Sequence, residues 1–564
     1  MRTSWHPLAL SAILATWLTT VGNLPLWLAI WRLPETQGWH ALVTVANLLM
    51  LVLALTLLFL SLTMWPRWRK PMGLVLLLVV TSTSYFMYAY GVVIDPSMLR
   101  NALYTDTREV RDLLSGGMIV ALVLGVLLPG WWWWRQTVNE VPLRRLLPQQ
   151  LGLGGAALLA LPLLTWVNFQ DLASLMRNHK PLRYMVNPYN TLYAIGRTSV
   201  GEAAQVSQPL QQIGWDAALK SVPNDGSGLP PLIVLVVGET ARAANFGIGG
   251  YDRDTTPRLD VLQKKGQLVY YPRVSSCGTN TQDSVPCMFS HLGREEFQAS
   301  NQRYENLLDV LQRVGLAVLW IDNQSGCKGV CERIPNVSTA NLAMPGLCSD
   351  GECQDEAMLR ELPARLAELD SQRVARGSVV VMHQMGSHGP AYYKRTTGPH
   401  KRFTPECDQA ALQNCSREQI VNAYDNSIRY TDYLLTETVK WLQARGGPTA
   451  LVYVSDHGES LGEKGLYLHG MPYRMAPQEQ THVPMILWVS PSMAQRQGLN
   501  VSCLRNTADR PISHDYLFHT MLSLTQVRTT LHLPRLSVLE ECYAAGASDT
   551  GLTPDRGNPA GRKP

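Results

Sequence analysis

Hydrophobic positions in this chain fall into two unlike patterns. Over the first 170 residues they form long, nearly unbroken blocks, near Pro7–Trp31, Ala41–Met64, Met72–Val93, Met118–Trp134 and Leu151–Val167. Each block is close to the roughly 20 residues a helix needs to cross hydrocarbon. The first block alone fits a cleaved signal peptide; the four that follow it predict a polytopic anchor of five helices. From Leu232 onward the blocks shorten to apolar runs at Leu232–Val237, Leu316–Ile321, Val379–Met382, Leu451–Val454 and Met485–Val489. Amphipathic stretches of helical length, such as Asp355–Asp370 and Ser416–Ala444, separate several of them. That alternation predicts an α/β domain with a mostly parallel sheet, whose sites lie beyond the carboxyl ends of its strands. Between the two patterns, Phe169–Asn224 mixes Tyr, Trp, Arg and Lys with apolar residues and reads as an interfacial helix and linker. The stretch PNDGSG at Pro223–Gly228 marks a boundary. The expected division is a membrane domain over 1–170, the interfacial helix and linker over 171–228, the α/β domain over 229–545, and a disordered tail over 546–564 rich in Gly, Pro, Asp and Arg.

Charge and cysteine place these parts on two sides of a membrane. Only 16% of the 564 residues are charged, against roughly 25% in soluble proteins, and the deficit lies in the first third. A formal net charge of +5, with no basic block interleaved with aromatics, gives no reason to expect nucleic acid as a partner. Arg2, Arg67, Arg69, Lys70, Arg135, Arg144 and Arg145 fall at one end of the spans; Arg32, Arg100, Arg108 and Arg111 fall at the other. That excess puts the amino terminus inside, and five crossings put everything after residue 170 outside. Trp131–Trp134 sit at a membrane edge, where aromatic rings are favoured. Ten cysteines, all between positions 277 and 542, agree with that topology. Their even count and close spacing suggest disulfides in an oxidising compartment. Sequence order invites the pairs Cys277–Cys287, Cys327–Cys331, Cys348–Cys353, Cys407–Cys415 and Cys503–Cys542, although connectivity does not follow from sequence alone. A zinc–thiolate site ranks below disulfides, because no CxxC pair occurs and the spacings are irregular.

Candidate chemistry gathers at three strand ends. Glu239 follows Leu232–Val237, His383 follows Val379–Met382, and Asp456 and His457 follow Leu451–Val454. With an oxygen from Thr281, in the hydroxyl-rich stretch Ser275–Ser290, Glu239, Asp456 and His457 supply the ligand types zinc accepts. A metal would lower the hydroxyl pKa and make it a nucleophile, and a helix start at Thr281 would favour a phosphate. Singly, each residue has a plainer reading: a carboxylate after a strand is often a helix cap, and an Asp–His pair is usually structural. His388 in GSHGP and His469 in YLHGM are flanked by glycine, so backbone approaches closely. They are candidates to hold a second metal, to hold a transferred phosphate, or to protonate a leaving group. His383 is as readily a satisfied core histidine, and His482 reads as structural. Ser325 and Lys328 lie at a tight cysteine loop that would fix an ammonium against phosphate, or are ordinary surface residues. In the outer loop DPSMLRNALYTDTREVRDLL, the four-residue spacing of Asn101, Thr105 and Glu109 places them on one helix face. Such a face is most often merely solvated; the functional alternative is contact with a lipid headgroup.

GETAR at 238–242, SCGTNTQDSVPCMFS at 276–290, SGCKGVCER at 325–333, GSHGP at 386–390 and SDHGESLGEKGLYLHGMPY at 455–473 together resemble the phosphoethanolamine transferases that modify lipid A. These belong to the alkaline phosphatase/sulfatase superfamily and include the mobile colistin-resistance enzymes. The likeness spans nearly the whole chain, including the five apolar blocks and the outer loop. It implies a zinc enzyme of the bacterial inner membrane with a periplasmic catalytic domain. Phosphatidylethanolamine would be its donor and lipid A its acceptor, with polymyxin resistance as the outcome. By the same resemblance Thr281 is the threonine that carries phosphoethanolamine, Glu239, Asp456 and His457 are zinc ligands beside it, and His388 and His469 serve the second site. Asn101, Thr105, Glu109, Ser325 and Lys328 match positions that contact the donor headgroup. The close cysteine pairs fit the family's disulfides, Cys407–Cys415 less tightly, and the tail maps to nothing in the family. A transferase for the lipopolysaccharide core or for phosphoglycerol, and a non-catalytic membrane sensor, stay open as alternatives. A sulfatase is disfavoured, because no C/S-x-P-x-R motif occurs around 277–287.

Overall fold

The computed structural model of the chain describes residues 4–33, 39–105, 107–206, 208–220, 228–339, 342–349 and 351–543. Most of the expected boundary at Pro223–Gly228, and all of the tail expected over 546–564, lie outside the described residues. Five helical segments among the described residues are long and apolar enough to cross a membrane: Pro7–Trp31, Leu42–Thr63, Arg69–Tyr90, Gly116–Arg135 and Leu143–Val167. They track the five apolar blocks to within a few residues at most ends; the last starts eight residues earlier than its block, at Leu143. The helix Arg69–Tyr90 (α1) stops at Gly91, whose φ of 71° is the left-handed conformation that ends helices. A side-chain carbon at Gly91 would lie 2.7 Å from the carbonyl oxygen of Gly465, so this helix end abuts the outer domain.

The outer loop after α1 forms two short helices, Pro96–Leu103 (α2) and Thr107–Leu113 (α3), where one continuous face was expected. Thr105 falls between them, and its hydroxyl donates to the carbonyl of Asn101 at 2.6 Å. Asn101 and Thr105 are therefore not stacked along one helix, and the side chain of Glu109 lies outside the described residues.

The C-terminal domain is built on an eight-stranded sheet. Its strands in chain order are β1 (Leu232–Gly238), β2 (Leu268–Ser275), β3 (Ala317–Asp322), β4 (Asn336–Ser338), β5 (Ser378–His383), β6 (Thr449–Ser455), β7 (His482–Val489) and β8 (Ile512–Ser513). Across the sheet the order is β8-β2-β7-β6-β1-β5-β3-β4, and β7 alone runs against the others. Every residue of β1, β3, β5 and β6 is buried, which is why those segments read as unbroken apolar runs. β2, which carries Pro272 and Arg273, lacks that signature. One core packs Val237, Val285, Trp320 and Val454 on one face of the sheet; a second packs Val236, Tyr424, Tyr453 and Leu435 on the other. The second face is covered by the 29-residue helix Arg417–Arg445, whose start is fixed by a capping box between Ser416 and Gln419. All five invited cysteine pairs form disulfides, and no described cysteine is free.

Candidate active site

The central strands deliver the site. β1 and β6 are parallel neighbours in register from Leu232/Thr449 to Gly238/Ser455, so the next residues, Glu239 and Asp456–His457, emerge side by side. Ligand-capable atoms of Glu239, Asp456 and His457 all lie within 4.8 Å of one another, and all three residues are fully buried. Thr281 is the first residue of the helix Thr281–Met288 (α4), behind Asn280, whose side chain caps it by accepting from the Asp283 amide. Thr281 Oγ1 lies 3.1 and 3.3 Å from the Glu239 oxygens and 3.4 Å from His457 Nε2.

Mutual attraction keeps Glu239 and His457 charged despite their burial. Burial raises the Asp456 carboxyl, and the adjacent Glu239 charge raises it further, to about 7. For Glu239, burial is outweighed by the hydrogen-bonded His457, which holds the carboxyl well below its usual range. For His457, burial is overcome by Asp456 and Glu239, which lift it to about 10. Asp456 Oδ1 accepts the amides of Thr240 and His457 at 3.1 and 2.7 Å. Its Oδ2 has no hydrogen-bond partner among the described residues, although His457 Nε2 lies 3.4 Å away. Two carboxylates, one of them with an orphaned oxygen, and an imidazole converging in one buried space are a donor set that suits a divalent cation.

The remaining histidines stand around the cluster. His469 lies with its ring centroid 4.4 Å from that of His457 and 5.5 Å from that of His388. Glu459 Oε2 sits 2.8 Å from His469 Nδ1 and orients the ring. The buried Glu459, raised to about 8 chiefly by burial, also accepts from the hydroxyl of Tyr392. His388 is held through its backbone, because Arg395 Nε donates to its carbonyl at 2.9 Å. The loop before it is pinned by Asp355, which accepts the amides of Met385 and Gly386 at 2.7 and 3.0 Å. Gly386 has φ 53°, and a side-chain carbon there would sit 2.6 Å from the Glu239 carbonyl oxygen, so only glycine fits. His383 is buried at the end of β5; Nδ1 lies 3.1 Å from Asp322 Oδ2, and Nε2 lies 4.0 Å from Glu239 Oε2. His482 is structural in position, with Nε2 2.6 Å from the carbonyl of Pro272.

The other sequence candidates are set at the perimeter. Ser325 and Lys328 lie beyond β3, two strands from Glu239, where Lys328 Nζ donates to Ser325 Oγ at 2.8 Å. Asn101 and Thr105 belong to the loop that docks on α4, but other residues make the joint. Arg100 Nη2 donates to Asp283 Oδ1 at 3.0 Å, Ser97 donates to Asp283 Oδ2, and Asn280 Nδ2 donates to Ser97 Oγ at 2.8 Å. A second joint pairs Asp112, at the end of α3, with Lys394 and with Arg395 at 3.3 Å. Reasoning from sequence missed Ser97, Arg100, Asp112, Asp283, Asp355 and Glu459, and also the buried His514, whose Nε2 lies 2.9 Å from the Ser455 carbonyl beside Asp456. Only the Asn280–Asp283 spacing, a capping signature, marks any of them in the sequence.

A known membrane protein shares this fold. Residues 231–527 match the sulfatase family, which places the domain in the sulfatase class. Residues 52–202 match the family described as phosphoethanolamine transferase EptA/EptB. Phosphoethanolamine transferase EptA of Salmonella typhimurium is 39% identical over 482 residues, 84% of this chain and 86% of that protein. Phosphatidylethanolamine transferase Mcr-1 of Escherichia coli is 37% identical over 540 residues, 93% of this chain and 96% of that protein. Among solved structures, the integral membrane lipooligosaccharide phosphoethanolamine transferase A (EptA) from Neisseria meningitidis superposes with a TM-score of 0.90 at 33% identity, covering 95% of this chain and 98% of that one. The chain belongs to the phosphoethanolamine transferase family of the alkaline phosphatase/sulfatase superfamily and is a membrane-anchored transferase.

Proposed function

We propose that the chain transfers phosphoethanolamine from phosphatidylethanolamine to a phosphate of lipid A, by double displacement through Thr281. The observation that carries this reading is the seat of Thr281 Oγ1, buried at the start of α4 and 3.1 to 3.4 Å from Glu239 Oε2 and His457 Nε2. Glu239, Asp456, His457 and Thr281 would hold zinc. When bound, zinc would acidify the hydroxyl and neutralise phosphoryl charge. Thr281 Oγ1 attacks the donor phosphorus, the phosphorus–oxygen bond to diacylglycerol breaks, and phosphoethanolamine is left esterified to the threonine. A lipid A phosphate oxygen then attacks the same phosphorus and frees Thr281. The amino end of α4 faces the phosphoryl group. His469, oriented by Glu459, and His388 hold the transferred phosphate and protonate the departing oxygen. Asn101, Thr105, Glu109, Ser325 and Lys328 contact the donor headgroup, with Lys328 as a point charge on phosphate. The protein sits in the bacterial inner membrane with its catalytic domain in the periplasm. The added amine lowers the negative charge of the cell surface and weakens binding of cationic peptides such as polymyxin.

Lipid A masses from cells expressing wild type and Thr281→Ala test this reading. Wild type is expected to add phosphoethanolamine and the folded variant to add none. A folded Thr281→Ala chain with undiminished modification removes the threonine from the chemistry. A wild-type chain that leaves lipid A unmodified and labels the core sugars instead replaces the acceptor.

A further inference from the structure

The end of α1 remote from the catalytic domain carries a feature that the transfer chemistry does not use. α1 has 22 residues, from Arg69 to Tyr90. At about 1.5 Å per residue its ends are about 33 Å apart, close to the thickness of the hydrocarbon layer. Gly91 abuts the catalytic domain, so Arg69 lies at the opposite membrane face. There a cavity of about 1010 Å³ opens between the helices, lined among others by Pro7, Arg69, Lys70, Arg135, Val138 and Leu146.

The wall of this cavity is a built structure. Ser4–Trp5 pairs in parallel with Thr137–Val138, the Asn139 amide donates to the Trp5 carbonyl at 3.0 Å, and Trp5 Nε1 donates to Gln136 Oε1 at 3.0 Å. Lys70 Nζ is fixed by the Trp134 carbonyl at 2.8 Å, and the Arg135 guanidinium lies 4.8 Å from the Trp131 ring. Arg69 is 5% exposed, and its Nε and Nη2 have no hydrogen-bond partner among the described residues. A buried guanidinium without an anion is costly. Among the described residues Glu140 is the one acidic residue of the lining, and it is exposed to solvent.

We propose that this cavity binds the phosphate of a membrane phospholipid from the leaflet opposite the active centre. Arg69 lines the cavity, and a phosphate there would supply the anion that its buried guanidinium lacks among the described residues, with Lys70 and Arg135 adding positive charge. Basic pockets between membrane helices at the inner face are suited to anionic headgroups. The cavity is at the upper end of the roughly 300–1,000 Å³ typical of sites for whole small molecules. It therefore exceeds what a free phosphate ion fills. Pro7, Val138 and Leu146 offer apolar surface to the glycerol and upper acyl chain. The proposal stands apart from the transfer reaction and survives or fails without it.

Native mass spectrometry of the full chain in detergent, with phosphatidylglycerol as the probe, decides the matter. Wild type is expected to retain the lipid, and Arg69→Met to retain it about ten-fold less, the loss of a charge-assisted contact. Lys70→Gln, which leaves the buried position intact, is expected to weaken retention about three-fold. Inorganic phosphate in place of lipid separates the two sources. Arg69-dependent retention of free phosphate, with no retention of phosphatidylglycerol, overturns the lipid assignment. Equal lipid retention by wild type and both variants overturns the site. If Arg69→Met fails to fold, undiminished retention by Lys70→Gln is sufficient to reject it.

Discussion

The two halves of the active centre are built in opposite ways. Glu239, Asp456 and His457 are fully buried and fixed by the register of two adjacent strands, so sheet hydrogen bonds determine their spacing. The perimeter, from Ser97 and Arg100 of α2 to the Ser325–Lys328 pair, is partly exposed and held by side-chain contacts, remote in sequence at Arg100–Asp283 and local at Lys328–Ser325. In the first half the backbone does the positioning, so chemistry follows from the identity of the residue placed there. In the second half the side chains themselves do the positioning, and each one matters separately.

Substitutions can break or sharpen that contrast. Glu239→Gln is expected to lose bound metal and to reduce transfer on the order of 10³-fold or more, read by metal content and lipid A turnover on purified protein. His514 belongs to the buried half: Nδ1 accepts the Cys277 amide at 3.0 Å, and Nε2 lies 2.9 Å from the Ser455 carbonyl. Burial pushes its imidazole from 6.5 down to about 4. The unfolded chain thus takes up a proton that the folded chain refuses. Stability from this group is full above pH 6.5 and is lost as pH falls toward 4, by about 3 kcal/mol at most. Melting curves from pH 7 to pH 4 should show that slope, and His514→Asn should flatten it. Asp283→Ala severs the tie between α2 and α4 and is expected to slow transfer about ten-fold by loosening the seat of Thr281, with bound metal unchanged. Lys328→Gln is expected to raise KM for the lipid donor about three-fold, again with metal retained. If Asp283→Ala or Lys328→Gln strips the metal, the two halves are not separable.

The same contrast explains what the sequence disclosed. Glu239 and Asp456–His457 were legible because apolar runs of strand length end directly on them, and the membrane spans were legible from length and hydropathy alone. β2 was not, since Pro272 and Arg273 interrupt its apolar pattern. The break at Thr105 was hidden because Asn101, Thr105 and Glu109 keep helical spacing across it, while the hydroxyl-to-carbonyl bond that accompanies it is a matter of one rotamer. Asp283, Asp355 and Asp112 carry no pattern at all. Their significance arises only when Arg100, the Met385–Gly386 amides and Arg395 are brought to them by the tertiary fold.

Gly91 packed against Gly465, Met98 against Gly470, and Arg100 on Asp283 together fasten the catalytic domain to the bundle at a fixed height. An active centre mounted this way cannot swing out on a tether to meet distant targets. If phosphatidylethanolamine and lipid A are its substrates, they arrive by lateral diffusion in the plane of the bilayer, and the crowding and fluidity of the surrounding lipid become part of its kinetics.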